Sequence, residues 1–301
     1  MSARLTLLAV AMPLVAHAWD PAGHMLVDQV AWTQMKPGAR TRATELARTL
    51  ENTYNNGQPY NFVTAGAWMD DMRSKKGYAW SKWHYVNIDW TADGAAFALP
   101  EPPHVVWAIG ESLKTLKAAE TAPDKASEAL AMVLHFTGDV HQPMHATDRG
   151  DRGGNGVLIH GVPFSDLWPG TVANLHAYWD KAFRFDKAGE KIAEAWQCPP
   201  TPDRPKSAEE GVIAEQAAKI VAKYPAASLT AEVAQMDPVE WTRESHRIGC
   251  LSGYPAGVVV SDHQVVELTG DFAAKSRTIA ERQIALAGYR LARVLNEVFA
   301  P

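Results

Sequence analysis

Two His-x-x-x-Asp pairs constrain the fold of this chain more than any other feature: His135 with Asp139, and His176 with Asp180. Residues four apart lie on the same face of an α-helix, one turn from each other, so both side chains of a pair can reach one ion. A single pair of this kind is more often a surface contact worth a few tenths of a kcal/mol. Two pairs, with His145 between them, favour a metal site built on helices.

The remainder of the sequence also favours helices. Apolar residues recur with the helical period over residues 23–35, 37–50, 103–120, 124–141, 209–224 and 278–299. A strand pattern is confined to 156–164, which we interpret as a small β-hairpin, and the proline-rich segment 198–210 is interpreted as a loop. The sequence therefore predicts an all-α, mainly helical single domain over residues 19–301, with a boundary near residue 200 left open.

Composition and charge exclude several classes of protein. With 47% hydrophobic and 21% charged residues, the 301-residue chain is typical of a globular protein, and no fixed-period repeat indicates a solenoid. Its formal net charge of −5 has the wrong sign for a protein that holds duplex DNA by counterion release. If the protein acts on a phosphate ester, bound cations must supply the positive charge locally.

The first 18 residues have the pattern of a secretory signal peptide. Arg4 precedes an apolar run, and Ala16-His17-Ala18 is a small-x-small cleavage site. The run is about half of the roughly 20 residues that a membrane span needs, so a retained anchor is the weaker alternative. We expect a secreted or periplasmic protein without a membrane anchor, whose mature chain begins with the free amine of Trp19.

Export also bears on the two cysteines, Cys198 and Cys250. In an oxidising compartment an even pair usually forms a disulfide bond. The alternative is two buried free thiols, because no spacing rule applies to this pair. We expect the bond between them.

Further candidate ligands lie upstream of the first pair. AWMDDMR contains Asp70 and Arg73, WHYVNID contains His84, and His24 lies near the start of the mature chain. Downstream, Pro143 disfavours a continuous helix, so His145 is free to face a different ion. Imidazole and carboxylate ligands together suit zinc. His141 is as likely a neighbour on the helix face as a partner of a ligand residue. His104, His160, His246 and His263 have no partner pattern, and for them a structural or surface role is the safer interpretation.

Taken in order, these motifs make the family recognisable. WDPAGHMLVDQVA, AWMDDMR, WHYVNID, LHFTGDVHQPMH, DRGGN and NLHAYWD run nearly from end to end of the chain. The protein resembles the zinc-dependent single-strand nucleases of the S1/P1 family, whose fold is shared with bacterial zinc phospholipases C. The resemblance implies that fold and a site for three Zn²⁺ ions.

The resemblance also implies which residues hold each ion. The first ion would be held by Asp70, His84, His135 and Asp139. The second would be held by the amine and carbonyl of Trp19 together with His24 and the shared Asp139, and the third by His145, His176 and Asp180. Signal removal would then be part of the chemistry, because an amide nitrogen at position 19 could not ligate as an amine does.

Catalytic roles follow from the same resemblance. Asp70, Arg73 and Asp139 would be catalytic: Asp139 links two ions, Asp70 orients the attacking water or accepts its proton, and Arg73 clamps a non-bridging phosphate oxygen. The third ion would stabilise the leaving 3′ oxygen, which gives products with a 5′-phosphate.

Base recognition would involve three more residues. Tyr85 matches a position where the family stacks a base, although core packing explains this residue equally well. Asn155 matches a residue that hydrogen-bonds the base edge. Asn87 stands where some relatives carry an aspartate, so their base preference does not carry over.

Three functions remain open on the sequence alone. The favoured one is an exported endonuclease acting on single-stranded DNA and RNA, which could also remove 3′-phosphate from nucleotides, with no obligate protein partner evident. The alternative is a phospholipase C-like phosphoesterase, although that group typically closes its third site with glutamate and this chain has Asp180. The last is a zinc-sequestering or adhesive protein without activity.

Overall fold

The computed structural model describes residues 19–55, 57–160, 174–184, 206–258 and 265–300. Within these ranges the chain is mainly helical. The helices are α1 (Pro21–Gln34), α2 (Pro37–Ala47), α3 (Phe62–Ala65), α4 (Trp68–Asp71), α5 (Val105–Lys117), α6 (Pro123–Asp139), α7 (Leu175–Trp179), α8 (Lys206–Lys223), α9 (Thr230–Ala234), α10 (Pro238–Ser252) and α11 (Gly270–Val298). The predicted all-α fold class is confirmed, and each of the six stretches predicted to be helical overlaps one of these helices.

The pair formed by α1 and α11 is the most extensive helix packing in the protein. α1 begins where Asp20 accepts a hydrogen bond from the backbone N–H of Gly23, with Pro21 as the first helical residue. At the crossing, a Cβ atom on Gly288 would lie only 2.5 Å from Cβ of Val30. A glycine is therefore needed there, because any side chain would push the two helices apart.

Helix α6 occupies the centre of the fold and contacts α1, α2, α4, α5 and α11. Its last fourteen residues are buried with one exception, so the helix is enclosed nearly all round. The helix ends at Asp139, and Gln142 has extended backbone (ψ 119°) immediately before Pro143. Pro143–His145 then forms a short 3₁₀ turn. The predicted break is confirmed, and it turns His145 away from the axis of α6.

The small sheet differs from the prediction. Strand β1 (Leu158–His160) lies in the segment predicted to be a hairpin, but it pairs in parallel with β2 (Val265–Glu267). The hairpin prediction over 156–164 is therefore corrected for the described part of that segment. A parallel pair needs a long connection between its strands, so its partner had to come from far along the sequence.

Two other local predictions are affected by the described ranges. α8 begins at Lys206, so the loop predicted over 198–210 ends earlier than expected. Cys250 is a buried free thiol, and its Sγ lies 3.5 Å from Nε2 of His246. The expected disulfide bond is not present among the described residues, and Cys198 lies outside them.

The expected signal peptide, residues 1–18, also lies outside the described residues. Within the ranges that are described, no helix is both long enough and apolar enough to cross a membrane.

Candidate metal centre

Six elements bring the histidines and aspartates of the motifs together. The contributors are α1 (His24), α4 (Asp70), the 3₁₀ turn at 81–84 (His84), α6 (His135, Asp139), the 3₁₀ turn at 143–145 (His145), and α7 with its C-cap (His176, Asp180). They form three groups, in each of which one ligand atom per residue lies within 4.8 Å of the others. The groups are His24–His135–Asp139, Asp70–His84–His135 and His145–His176–Asp180.

Asp139 lies at the middle of the first two groups. One of its oxygens, Oδ2, is 3.0 Å from Nδ1 of His84 and 3.4 Å from Nε2 of His135. The other oxygen, Oδ1, is 3.4 Å from Nε2 of His24. Asp70 Oδ1 lies 3.9 Å from the same Nε2 of His135. A single carboxylate therefore faces imidazoles on both sides, as a bridge between two ions requires.

Backbone carbonyls fix the orientation of three imidazole rings. Nδ1 of His135 donates to Gly66 O at 2.6 Å, Nδ1 of His145 to His84 O at 2.6 Å, and Nδ1 of His176 to Gly153 O at 2.7 Å. A carbonyl only accepts, so in each neutral ring Nε2 keeps its lone pair. Nε2 of His145 and Nε2 of His176 then face each other at 3.2 Å. Two lone pairs at that distance repel each other unless a cation lies between them. Metal-binding histidines commonly donate one ring N–H to a carbonyl in this way and bind the metal through the other nitrogen.

Two partners of the ligand residues are not evident in the sequence. The hydroxyl of Tyr78 lies 2.6 Å from Nε2 of His84. The other ring nitrogen of His84, Nδ1, therefore faces His135 and Asp139. Gln142 donates from Nε2 to Asp180 Oδ1 at 2.7 Å. The sequence indicated Gln142 only as the residue before a proline. For Tyr78 the only available signal is its place shortly before His84 in the chain.

Several buried polar atoms in this centre have no hydrogen-bond partner among the described residues. They are both ring nitrogens of His24 and Oδ1 of Asp139, and both residues are fully buried. Buried polar atoms are nearly always satisfied, and an exception in a native structure indicates an ion or a functional role. Imidazole and carboxylate atoms are the ligands that zinc accepts, so the donor set fits this metal.

The pKa shifts have the same physical origin. Burial lowers the pKa of His24 and His84 well below the ordinary value, with neighbouring histidines and Arg73 adding to the effect. Burial, followed by the charge of Asp70, raises the pKa of Asp139 well above its usual range. The imidazoles are therefore held neutral, which is the form that binds metal. Because burial disfavours the charged form of this carboxylate, a bound cation would stabilise it.

Trp19 lies directly beside the first group. Its side chain is fully buried, and its indole Nε1 donates to Gly138 O at 3.0 Å. A Cβ atom on Gly138 would lie 2.8 Å from Nδ1 of His24, so only glycine fits between the two residues. The next residue, Asp20, donates its backbone N–H to Asp180 O at 3.0 Å. The start of the expected mature chain is thus held between the first and third groups.

The backbone conformation and close packing of the DRGGN loop require glycine at positions 153 and 154. Gly153 and Gly154 have φ angles of 64° and 85°, which side chains rarely adopt. A Cβ on Gly153 would lie 2.5 Å from Met144 O. These glycines let the carbonyl of Gly153 reach His176.

The residues expected to bind substrate lie around the edge of the centre. Arg73, with a side chain 12% exposed, pairs through Nε with Asp70 Oδ1 at 2.9 Å, and its Nη2 is 3.3 Å from Nδ1 of His84. Tyr85 is half-buried and Asn87 is exposed. Asn155 donates from Nδ2 to Arg152 O at 2.8 Å, so part of its hydrogen-bonding capacity is used within its own loop.

Asp28 is a buried carboxyl that was not among the candidate residues predicted from the sequence. It follows His24 by one helical turn and is fully buried, and burial raises its pKa. Its Oδ2 would lie 2.0 Å from a Cβ on Gly66, the residue whose carbonyl orients His135. Position 66 therefore has to be glycine.

Comparison with known proteins agrees with this geometry. The family model described as S1/P1 Nuclease matches residues 19–300. Endonuclease 2 of Arabidopsis thaliana is 26% identical, over 94% of this chain and 91% of its own length. Nuclease P1 of Penicillium citrinum is 22% identical over 93% of this chain and 97% of its own. Nuclease S1 of Aspergillus oryzae is 26% identical over 57% of this chain and 54% of its own.

Proposed function

This chain belongs to the S1/P1 nuclease family and is thereby a hydrolase that acts on nucleic acids; we propose that it is an exported, zinc-dependent endonuclease of single-stranded DNA and RNA. The observation that carries the proposal is the set of three His/Asp groups. In one of them, the buried ring nitrogens of His24 and Oδ1 of Asp139 have no hydrogen-bond partner among the described residues.

We assign one zinc ion to each group. At the Asp70–His84–His135 group, the ion would be held by these three residues and Asp139. At the His24 group, the ion would be held by His24, Asp139 and the amine and carbonyl of Trp19. The remaining ion would be held by His145, His176 and Asp180. When bound, zinc ions supply Lewis acidity and lower the pKa of a water molecule toward neutrality. Three divalent ions against three carboxylates also leave a local surplus of positive charge, which attracts a phosphodiester in a protein whose net charge is −5.

Protein groups then position the substrate and move the proton. Arg73 lies against both Asp70 and His84, so its guanidinium can hold a non-bridging phosphate oxygen at the edge of the Asp70–His84–His135 group. Asp70, whose carboxylate is 5% exposed, orients the attacking water and accepts its proton. We place the group of His145 on the side of the leaving 3′ oxygen, so the products carry a 5′-phosphate.

Single-strand preference follows from the depth of the centre. The ligand residues are nearly all buried, so a nucleotide must leave its stack before its phosphate can reach them. Half-buried Tyr85 can stack a base, while exposed Asn87 and Asn155 in its glycine loop offer polar groups to the base edge.

The activity is tested by comparing purified mature protein on single-stranded DNA, RNA, duplex DNA and phosphatidylcholine micelles. We expect the single strands to be cut to 5′-phosphate ends, with activity lost in a chelator and restored by zinc. Faster turnover of the lipid would favour the phospholipase C-like function. Nuclease activity that persists without metal would contradict the proposal.

Substitution of Arg73→Gln sharpens the assignment of the phosphate clamp. Removing one charged donor from the reacting phosphate typically costs about 10²–10³-fold in rate, so we expect kcat to fall by that factor while zinc content stays unchanged. Lys76→Gln, an exposed lysine in the following segment, is the matched control and should leave kcat unchanged. Equal effects of the two substitutions would remove Arg73 from the mechanism.

Export is tested through the amino terminus. We expect the mass of the exported protein to correspond to a chain that begins at Trp19. We also expect one alanine added before Trp19 to lower the zinc content, because the amine would become an amide. Full zinc content in that extended chain would exclude the amine as a ligand.

A further inference from the structure

The loop 148–155 carries an arginine whose surroundings are unusual. Asp148 Oδ1 accepts hydrogen bonds from the backbone N–H groups of Gly150 at 2.9 Å, Asp151 at 3.1 Å and Arg152 at 2.9 Å. Asp151 Oδ1 accepts from the backbone of Gly154 at 2.9 Å and from the hydroxyl of Tyr254 at 3.0 Å. Both carboxylates of the loop thus hold its backbone and the neighbouring tyrosine.

Arg149 makes its contacts with aromatic rings instead. Its guanidinium carbon lies 4.4 Å from the ring centroid of Trp90 and 5.3 Å from that of Tyr254. Within the part of the chain that the structure describes, this half-buried arginine makes no hydrogen bond and no ion pair. Stacking covers the faces of a guanidinium and leaves its N–H edge available to an anion.

The rings that hold Arg149 are themselves anchored. Trp90 donates from Nε1 to Cys250 O at 3.0 Å, and its backbone N–H donates to Asp148 O at 2.8 Å. Tyr254 is fixed by its hydrogen bond to Asp151. The guanidinium is therefore pre-positioned, and less side-chain entropy would be lost when it binds an anion.

An extended segment connects this arginine with the metal centre. The backbone N–H of Val86 donates to His145 O at 2.7 Å, and that of Trp90 donates to Asp148 O at 2.8 Å. Four residues of extended chain span about 13 Å at ~3.3 Å per residue. Arg149 thus lies beside the same segment that carries Tyr85 and Asn87, but beyond the reach of the phosphate held at the metal groups.

We propose that Arg149, held between Trp90 and Tyr254, binds a backbone phosphate of the single-stranded substrate away from the phosphate that is cleaved. The proposal rests on the proposed nuclease function and deepens it, because it makes efficiency depend on the length of the strand. Exposed Arg152 in the same loop adds positive charge nearby. In a protein of net charge −5, such a local cationic site directs the polyanion along one path.

The test compares a dinucleotide with a long oligothymidylate. For Arg149→Gln we expect kcat/KM on the long strand to fall about tenfold, the effect of one charge-assisted contact, while kcat/KM on the dinucleotide stays within about twofold. The dependence of log kcat/KM on log salt should become shallower by about 0.7 for the long strand, since one phosphate contact is lost.

A matched control is available in Arg243. Its guanidinium also stacks on a ring, 4.0 Å from the centroid of Phe97, but it is paired with Glu240 at 3.2 Å. Arg243→Gln should leave both substrates and the salt dependence unchanged. Equal losses on the dinucleotide and the long strand, or an Arg149→Gln protein that behaves like the Arg243→Gln control, would overturn the proposal.

A binding measurement separates this proposal from the proposed function. Fluorescence anisotropy of a labelled oligothymidylate in chelator needs no turnover, and Arg149→Gln should weaken binding about tenfold. If the wild-type protein cleaves neither substrate, the nuclease function fails while this measurement still decides whether Arg149 binds the strand. Unchanged binding would rule out the subsite even in an active nuclease.

Discussion

The carboxyl end of α6 lies between two buried polar clusters that differ in how their charges are satisfied. On one side is the metal centre, in which His24 and Asp139 have buried atoms without hydrogen-bond partners. On the other side is the cluster around Arg290, which is fully buried and contacts His141 and Glu244.

The Arg290 cluster contains its own cation. Arg290 Nη1 lies 2.9 Å from Nε2 of His141 and 2.7 Å from Glu244 Oε2, and its Nε and Nη2 donate to Glu232 O at 3.1 and 2.8 Å. Nδ1 of His141 donates to Thr137 O at 2.7 Å. Both nitrogens of that imidazole are therefore satisfied within the protein.

The difference explains why two neighbouring buried histidines have different roles. Burial, followed by the charge of Arg290, lowers the pKa of His141, just as burial lowers that of His24. The neutral ring of His141 accepts a hydrogen bond from a guanidinium, whereas His24 has no such partner. A buried histidine with both nitrogens satisfied indicates a structural role, and one with orphaned nitrogens indicates a metal ligand.

The largest expected effect that separates the clusters comes from Asp139→Asn. We expect activity to fall at least about 10³-fold, and zinc to be lost, because this carboxylate faces ligands of two groups. Stability measured by urea unfolding in chelator should not fall, because the substitution removes a buried carboxylate whose charged form is disfavoured. Retained activity with unchanged zinc would show that the ligand assignment is wrong.

Arg290→Met should have the opposite pattern. Removing the charged partner of a buried pair typically costs about 3–5 kcal/mol, and we expect the lower end because Glu244 is 34% exposed. Urea unfolding should show that loss, while zinc content and activity per folded molecule remain unchanged. The milder Glu244→Gln serves if the first variant does not fold. Loss of zinc in either variant would contradict the conclusion that the Arg290 cluster is structural and separate from the metal centre.

The smallest of these effects is expected from Tyr78→Phe. The hydroxyl of Tyr78 holds Nε2 of His84 at 2.6 Å, and removing such a partner of a ligand typically lowers metal affinity 10–100-fold. We expect about tenfold, measured by competition with a chelating dye. Tyr289→Phe is the control, since its hydroxyl donates to Tyr224 O at 2.8 Å, and it should cost about 1 kcal/mol of stability with unchanged zinc affinity.

Local patterns in the sequence predicted much of this architecture. The helical period placed His135 and Asp139 on one face of α6, and Pro143 indicated where the helix ends. Both follow from interactions within a few residues, for which spacing is a sufficient guide.

Partners from distant parts of the chain could not be predicted in this way. Arg290 meets His141 across 149 positions, and β1 pairs with a strand that follows α10. No local spacing encodes either contact, so the sequence left His141 open between a neighbour on the helix face and a partner of a ligand residue. For the same reason, the sequence predicted a hairpin for the segment that contains β1 and could not predict its pairing with β2.

The most direct test of the account is metal analysis of the purified mature protein by mass spectrometry, alongside its activity on single-stranded DNA. We expect three zinc ions per chain, one for each His/Asp group, and loss of activity as a chelator removes them. Full activity in a protein that holds one metal ion or none would contradict it.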